Sequence, residues 1–230
     1  MRLDRLLGKH YQLGKRSVRA LLNSGNVLVN QSPVLGNRLI GRFDHLQVRD
    51  EVLQDRVRRA ILLHKPSGVV SATTDAQHQT VLDLIDEPWA HELHLAGRLD
   101  RFTTGLVILT NDSSLSEALT HPDQKVGKRY LVNVHSPIPE TVLAAFRRGI
   151  PLAKEKVITA PAQVTLESPT CCRLTIYEGK HHQIKRMFAL FDLRVTALHR
   201  DQIGPIYLPA DLHPGSWMPL SRSHLLPFNL

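Results

Sequence analysis

Apolar residues along this chain recur at two spacings, one typical of helices and one of strands, and together they predict many short elements. Helical spacing with start and stop signals predicts helices over residues 3–13, 17–22, 80–85, 114–119, 139–148 and 184–191. Alternating or continuous apolar runs predict strands over residues 26–30, 61–63, 105–109, 130–134 and 174–177. Because these elements interleave without strict alternation, they predict an α+β fold with a mixed, mainly antiparallel sheet and flanking helices.

One predicted strand is apolar at every position, which indicates burial on both faces. It covers residues 106–109, and Gly105 stands just ahead of it. A loop that leads into such a strand is held in place by the core behind it, so we expect the residues before Gly105 to be rigidly placed. In the helix that follows, Ser114 and Glu117 have the spacing of a capping box.

Length and composition predict two folded domains. The chain has 230 residues, of which 42% are hydrophobic and 22% charged, which argues against disorder. The apolar pattern lapses over residues 55–59, where we expect a linker. We place the boundary near residue 58, between domains 1–58 and 59–230.

Positive charge is concentrated near the start of the chain. The net charge is +8, and residues 1–60 contain 12 Lys and Arg against 5 Asp and Glu. In the second predicted helix, Lys15, Arg16 and Arg19 lie largely opposite the apolar face around Val18. Such a basic face is typical of a module that binds RNA phosphates, although a merely solvated helix face has the same pattern.

Several other classes of protein are excluded by the sequence. Cys171 and Cys172 are adjacent in a strand and point to opposite faces, which disfavours a disulfide framework or a zinc site. No apolar stretch approaches the roughly 18 residues of a membrane span, and no signal-like run follows Arg2 and Asp4. We therefore expect a cytoplasmic protein that does not bind membranes.

The clearest chemical signal is Asp100, which stands between Arg98 and Arg101 just ahead of the buried strand. A carboxylate held this rigidly beside cations is suited to nucleophilic or proton-transfer chemistry. The alternative is a structural ion pair with either arginine, since such pairs also perturb carboxylates.

Five motifs, taken in order, carry a resemblance to a known family. They are Lys65-Pro66-Ser67-Gly68, Gly97-Arg98-Leu99-Asp100 with Thr103-Thr104-Gly105-Leu106, Lys128-Arg129-Tyr130, Glu178-Gly179-Lys180-His181-His182-Gln183-Ile184-Lys185-Arg186-Met187 and Leu198-His199-Arg200. The set resembles the RNA pseudouridine synthases, and within them the RsuA family, which acts on ribosomal RNA. The resemblance covers nearly the whole chain. It implies a small S4-like RNA-binding module over residues 1–58 and a pseudouridine synthase domain over residues 59–230.

The resemblance implies three catalytic residues. Asp100 matches the nucleophile, which attacks either C6 of the uracil or C1′ of the ribose, and the sequence does not choose between them. Lys185 matches the cation that keeps this carboxylate ionised in a partly desolvated pocket. Tyr130 matches a tyrosine that stacks on the base and takes part in proton transfer from C5. From the residues alone, Lys185 is equally suited to covering the edge of the core, and Tyr130 to lying within it.

The same resemblance implies substrate-binding residues and no cofactor. Leu198 is expected to wall the pocket, and Arg98 to brace the loop or contact the everted nucleotide. Lys65 is expected to head a loop that approaches RNA, and Arg186 to meet an RNA phosphate or stabilise the fold. With the basic face of the first module, the expected substrate-binding residues are Arg98, Leu198, Lys65, Arg186, Lys15, Arg16 and Arg19.

Histidine clusters suggest a metal site at first sight. His91 and His94 lie three residues apart, and His181, His182 and His199 are a second set. Neither set has the spacing of a known zinc motif, and no Cys or carboxylate completes a tetrahedral site at a usual interval. We therefore expect no metal.

Two positions depart from the family pattern. Phe102 stands where relatives usually carry a polar or acidic residue, and Ser113 stands where a glycine is common. Neither touches the expected nucleophile. Phe102 bears instead on how the loop meets RNA.

The implied activity is the cofactor-free isomerisation of a specific uridine in ribosomal RNA to pseudouridine. Residues 1–4, 86–88 and 93–97 most resemble the branch that acts on 16S RNA of the small subunit, at a site of the uridine 516 type. The alternatives are a 23S RNA synthase of the same family and a non-catalytic RNA-binding assembly factor. The expected partner is ribosomal RNA within an assembling small subunit, and the chain is expected to be a monomer.

Overall fold

The computed structural model of the protein describes residues 1–152 and 156–225. The chain divides into two compact units, one from Met1 to Arg58 and the other from residue 59 onward. The end of the predicted second domain, residues 226–230, lies outside the described residues. In the described ranges, no helix combines the length and the apolar character that a membrane crossing needs.

The first unit packs two helices against a small antiparallel sheet. Its elements are α1 (Leu3–His10), α2 (Lys15–Asn23), β1 (Val27–Val29), β2 (Ser32–Pro33), β3 (Leu46–Val48) and β4 (Glu51–Gln54). The strand order is β2-β1-β3-β4. The core includes Leu3 and Leu7 from α1 and Val18 and Leu22 from α2. Helix α1 ends earlier than predicted because Gln12 adopts a left-handed conformation with φ of 53°.

The second unit is built around one large sheet. Its elements are β5 (Ala60–Lys65), β6 (His94–Leu95), β7 (Thr104–Thr110), α3 (Ser113–Thr120), β8 (Lys128–Val134), α4 (Glu140–Arg148), β9 (Pro151–Leu152), β10 (Val157–Ile158), β11 (Gln163–Ser168), β12 (Cys171–Ile176), α5 (Gln183–Ala189), β13 (Val195–Ile203), β14 (Ile206–Tyr207), β15 (Trp217–Pro219) and α6 (Arg222–Leu225). Short 3-10 turns cover Leu82–Leu84, Ala90–Glu92 and Pro122–Gln124.

The strand order of this sheet, over the described residues, is β11-β12-β8-β13-β7-β5-β15, with β14 beside β13 and β6 beside β7. Strands β13 and β7 pair in parallel, and the other neighbours pair antiparallel. Helices lie against the sheet. The predicted α+β class, with a mixed and mainly antiparallel sheet, is confirmed.

Strand β7 contributes side chains to both apolar clusters of the second unit. Val107 and Leu109 point into the larger apolar cluster, which includes residues from α4 and α5. Leu106 and Ile108 point to the other face, into a smaller cluster with residues from α3. All four side chains are fully buried, as the continuous apolar run predicted. The loop ahead of β7 is therefore anchored to the best-packed part of the domain.

Gly105 allows β7 and β13 to approach each other. Its φ is +107°, and a Cβ at this position would lie 2.1 Å from the carbonyl oxygen of Arg200. A side chain here is therefore excluded both by conformation and by space. This close parallel contact brings the residues after Asp100 against β13.

The helix predicted over residues 80–85 is wrong: the structure has only the 3-10 turn Leu82–Leu84 there. The backbone N–H of Thr80 donates to Asp83 Oδ2 at 2.7 Å, and the backbone N–H of Asp83 donates to Thr80 Oγ1 at 3.3 Å, so the two residues cap the start of this turn. The turn does not continue into a helix because Ile85 is extended, with φ of −110° and ψ of 98°.

The ends of two other helices also differ from the prediction. Asp112, not Ser114, caps α3, because its Oδ1 accepts the Ser114 N–H at 3.0 Å. The predicted capping box with Glu117 is therefore wrong. Helix α5 ends at Ala189, so Phe191 lies beyond it and packs on the core from the following turn.

Candidate active site

Asp100 lies in the connection from β6 to β7, and backbone hydrogen bonds fix this connection at both ends. The N–H of Ala96 donates to the carbonyl of Ile108 at 2.8 Å, and the N–H of Thr103 donates to the carbonyl of Asp100 at 3.0 Å. The N–H of Gly68 donates to the carbonyl of Arg101 at 2.9 Å. The carboxylate therefore stands on a rigid turn, as expected from the buried strand behind it.

Lys65 has a different place from the one predicted. Its side chain is fully buried, so its ammonium is not available for direct contact with RNA. Its Nζ donates to the carbonyls of Pro66, Val69 and Arg101 at 2.9, 2.7 and 2.9 Å. Burial lowers the pKa of Lys65 to about 8, although the charge of Asp100 opposes this shift. Lys65 thus ties the loop after β5 to the turn that carries Asp100.

Two side chains from a distant part of the chain meet the Asp100 carboxylate. The Nζ of Lys185 lies 3.2 Å from Oδ2, and the Nε2 of His182 lies 3.4 Å from Oδ1. Among the described residues these are its ion-pair partners, rather than the neighbouring arginines Arg98 and Arg101. The structural ion pair that the sequence left open is therefore not the arrangement found here.

The loop before α5 determines where the side chains of Lys185 and His182 lie. His182 is the N-cap residue and adopts a left-handed conformation with φ of 49°. Gln183 supports the turn, since its Nε2 donates to Glu178 Oε1 at 2.6 Å and its Oε1 accepts the Lys180 N–H at 3.0 Å. Glu178 also pairs with Lys180. This network holds the first turn of α5 over Asp100.

The rest of α5 anchors Lys185 and His182 to the core. Ile184, Met187 and Phe188 are buried in the larger apolar cluster, while Lys185 on the same helix is about a third exposed. Arg186 Nη1 donates to the carbonyl of His181 at 3.1 Å, so this side chain braces the loop.

Tyr130 lies on β8 with 8% of its surface exposed, and it forms part of the cleft wall. Arg200 on β13 lies beneath it: Nη1 donates to the Tyr130 hydroxyl at 3.4 Å, and Nε donates to the carbonyl of Leu106 at 2.9 Å. The Arg200 Cζ also lies 5.9 Å from the centroid of the tyrosine ring. Arg200 therefore links Tyr130 to strand β7, which follows the turn that carries Asp100.

These side chains surround one open cleft, whose lining combines apolar side chains with charged and polar ones. The lining residues are Arg98, Leu99, Asp100, Thr103, Tyr130, Ile176, Gly179, Lys180, His182, Gln183, Ile184, Lys185 and Leu198. Of the residues predicted from sequence, Asp100, Tyr130, Lys185, Arg98 and Leu198 thus meet here.

The basic residues Lys15, Arg16 and Arg19 belong to the first unit and do not line this cleft. They are exposed on α2, and the same helix buries Val18 and Leu22. Within residues 1–152 and 156–225, no group of three or more His, Cys, Asp or Glu side chains is arranged to hold a metal ion.

Comparison with known proteins decides the family. Residues 59–190 match the family model described as RNA pseudouridylate synthase. The chain belongs to the RNA pseudouridylate synthase family. It is 41% identical over 227 residues to the ribosomal small subunit pseudouridine synthase A of Pseudomonas aeruginosa, covering 98% of this chain and 99% of the relative. It is 40% identical over 229 residues to the protein of the same name from Escherichia coli K12, covering 98% of each.

A solved structure gives the same answer for the fold. The chain superimposes on a crystal structure of a pseudouridylate synthase with a TM-score of 0.73 and 35% sequence identity, over 99% of both chains. The family inferred from the five sequence motifs is thus confirmed.

Two residues of this pseudouridylate synthase cleft were missed by the sequence analysis. His182 was considered only as a metal ligand, yet it contacts Asp100 directly. Arg200 was noted as part of a motif without a role, yet it is 3% exposed and contacts Tyr130. The strand of Arg200 also carries His199, Asp201 and Gln202, so no local pattern marks this guanidinium as buried.

Proposed function

We propose that this synthase converts a uridine of 16S ribosomal RNA, of the uridine 516 type, to pseudouridine, with Asp100 as the nucleophile. The proposal is carried by the Asp100 carboxylate, held 3.2 Å from Lys185 Nζ in an open cleft that Tyr130 also lines. The names of the relatives that are about 40% identical over the whole chain support small-subunit RNA as the substrate.

The reaction is an isomerisation, and its atoms balance without a cofactor. The bond from ribose C1′ to uracil N1 breaks, the base turns, and C1′ bonds to C5. The proton that leaves C5 is matched by the proton that N1 gains. Asp100 forms a transient bond to C6 or C1′ and is released as a carboxylate, so it is regenerated in each cycle.

Each of the other cleft residues has a part in this scheme. Lys185 is the counter-ion that keeps the carboxylate charged while the base covers it, and His182 contacts the other carboxylate oxygen. Tyr130 stacks on the uracil and assists removal of the C5 proton, and Arg200 positions Tyr130. Leu198 supplies an apolar wall, and Arg98 at the exposed rim contacts the backbone of the everted nucleotide.

The target nucleotide must leave its stack to enter the cleft, which costs roughly a few kcal/mol. Contacts elsewhere on the RNA must offset this cost. We infer that the first unit is an S4-like module that docks structured RNA through Lys15, Arg16 and Arg19. Exposed cations on a helix anchored by a small core are suited to phosphate contacts.

The experiment is to replace Asp100 with Asn in cells whose only copy is the variant, and to map pseudouridine in both ribosomal RNAs. Loss of one 16S site supports the proposal. Loss of a 23S site indicates the large-subunit alternative, and no loss indicates a non-catalytic assembly factor. Asp123→Asn is the matched control, because the Asp123 side chain is 89% exposed. This variant should keep every site.

We further propose that the protein acts as a monomer in the cytoplasm on RNA within an assembling small subunit. Purified enzyme should modify unmodified subunit particles faster than naked 16S transcript. Equal rates on both substrates would contradict the particle preference, and a dimer mass by light scattering would contradict the monomer.

A further inference from the structure

The residues that follow the nucleophile form an exposed corner. The hydrogen bond from the Thr103 N–H to the Asp100 carbonyl closes a turn with Arg101 and Phe102 at its tip. Thr103 is 1% exposed, whereas Phe102 is 67% exposed. Consecutive Cα atoms are about 3.8 Å apart, so the Phe102 Cα lies within about 7.6 Å of the Asp100 Cα. The phenyl ring therefore stands in the open on the turn that carries Asp100, two residues after it.

The Arg101 guanidinium is held over this ring. Its Cζ lies 5.2 Å from the ring centroid of Phe102. Its Nε donates to the Gly68 carbonyl at 3.0 Å, and its Nη1 lies 2.9 Å from Nε2 of His78. His78 is itself fixed, because its N–H donates to Asp75 Oδ1 at 2.9 Å. Three loops thus order one long side chain at the surface.

Folding alone gives no reason for this arrangement. An exposed contact between a cation and an aromatic ring is weak, and ordering an arginine side chain costs conformational entropy. The exposed phenyl ring buries little apolar surface. An ordered, open, aromatic surface with a cation beside it is suited to stacking against a nucleobase, and every nucleobase has a π face for it.

We propose that Phe102 and Arg101 form a stacking platform for the nucleobase next to the target uridine. This inference rests on the proposed function, since it takes the uridine to lie at Asp100. When a nucleotide is everted into the cleft, its covalently linked neighbour must pass close to the turn that carries Asp100. Stacking on Phe102 holds that neighbour and helps to offset the cost of eversion. The platform adds affinity without reading sequence.

The test measures RNA affinity and chemistry separately for Phe102→Ala, Phe102→Trp and Tyr207→Ala. The probe is a synthetic RNA stem-loop that carries the mapped target uridine. Tyr207 is the matched control, because it is 56% exposed and the Arg129 guanidinium lies 5.4 Å from its ring centroid, yet neither residue belongs to the turn that carries Asp100. Phe102 and Tyr207 are both at exposed positions, and circular dichroism checks that each of the three variants folds.

Phe102→Ala should raise Kd for the stem-loop about 5- to 100-fold, the range found when a stacking aromatic is removed. The single-turnover rate at saturating RNA should stay within about twofold of the wild type. Phe102→Trp and Tyr207→Ala should both leave Kd within about twofold. An effect on Kd without an effect on the saturated rate separates a binding platform from a structural role for this turn.

Abasic stem-loops identify the nucleobase. At one position beside the target, removing the base should weaken wild-type binding by the same factor as Phe102→Ala and should not weaken binding of that variant further. An unchanged Kd for Phe102→Ala would overturn the proposal. The proposal would also fail if the abasic change and Phe102→Ala had independent, multiplying effects on Kd at every position tested. A loss seen with subunit particles but not with the stem-loop would overturn it as well, since that result indicates a protein contact. Absence of pseudouridine from the wild-type reaction would refute the proposed function instead, while the Kd comparison would still decide the platform.

Discussion

Replacing Lys185 with Met tests how the environment of one ion pair changes when RNA binds. The substitution removes the charge 3.2 Å from Asp100 Oδ2 and keeps a long side chain with good helix propensity. The two partners are 37% and 29% exposed, so water reaches the pair in the free protein. His182 still contacts the other carboxylate oxygen in the variant, and any loss therefore reports on Lys185 alone.

The size of the effect follows from the distance. Coulomb's law gives about 1.3 kcal/mol for unit charges at 3.2 Å in a medium as polar as water, and about 5 kcal/mol at an effective dielectric constant of 20. The first value applies to the open cleft, where exposed pairs contribute about 1 kcal/mol or less. The second applies once an everted nucleotide has displaced the water. The same substitution should therefore affect catalysis more strongly than stability.

Lys185→Met should lower the free energy of unfolding in urea by about 1 kcal/mol or less. It should lower the single-turnover rate at saturating RNA by about 100- to 5,000-fold, which corresponds to about 3–5 kcal/mol. Lys185→Arg keeps the charge and should stay within about tenfold of the wild-type rate. Lys125→Met is the control, because Lys125 is exposed and does not line the cleft.

Three outcomes would refute this reasoning. One is a Lys185→Met rate within tenfold of the wild type. Another is an arginine variant as inactive as the methionine variant, since charge would then not be the deciding property. The third is a loss of stability as large as the loss of catalysis, which would assign Lys185 a purely structural role.

Three further predictions concern stability and RNA binding. Lys65→Met removes hydrogen bonds from a buried ammonium to three carbonyls and should lower the free energy of unfolding in urea by about 2–4 kcal/mol; a loss below 1 kcal/mol would contradict this. Burial, with His64 nearby, lowers the pKa of His199 in the folded state, so its stabilising contribution is complete above about pH 6.5 and is lost as the pH falls. Between pH 7 and pH 5 the wild type should therefore lose more stability than His199→Gln, and parallel urea curves for the two would refute the assignment. Changing Lys15, Arg16 and Arg19 together to Gln should weaken RNA binding and flatten the slope of log Kd against log salt by about 2–3, and an unchanged slope would remove these residues from the RNA-binding face.

Local pattern was sufficient for much of the fold. The continuous apolar run over residues 106–109 predicted a strand buried on both faces, and β7 has this property. The apolar pattern failed over residues 80–85, where Thr80 and Asp83 cap a single 3-10 turn and the extended backbone at Ile85 ends it. Start signals and apolar spacing mark where a helix can begin, but they do not show how far it continues.

Part of the candidate site was predictable from sequence, because some of its residues lie in motifs that are recognisable locally. Motif residues on the cleft side, such as Asp100 and Tyr130, carry a recognisable local context. Lys65 belongs to a motif as well, but its burial depends on how three loops close around its ammonium. Its prediction as an RNA contact was wrong because nothing local marks a lysine as buried.

By itself, the sequence determined the family, the α+β class, and a rigid carboxylate ahead of a buried strand, because each of these is encoded in residues close together along the chain. Only the tertiary structure decided that His182 also meets that carboxylate and that Arg200 supports Tyr130. Those contacts join β7, β8, β13 and α5 across long separations, as in the bond from Arg200 to Leu106, 94 residues away. The parallel pairing of β7 with β13 and the packing of α5 on the core bring these groups within hydrogen-bond distance. No short segment of the sequence predicts either of these long-range contacts.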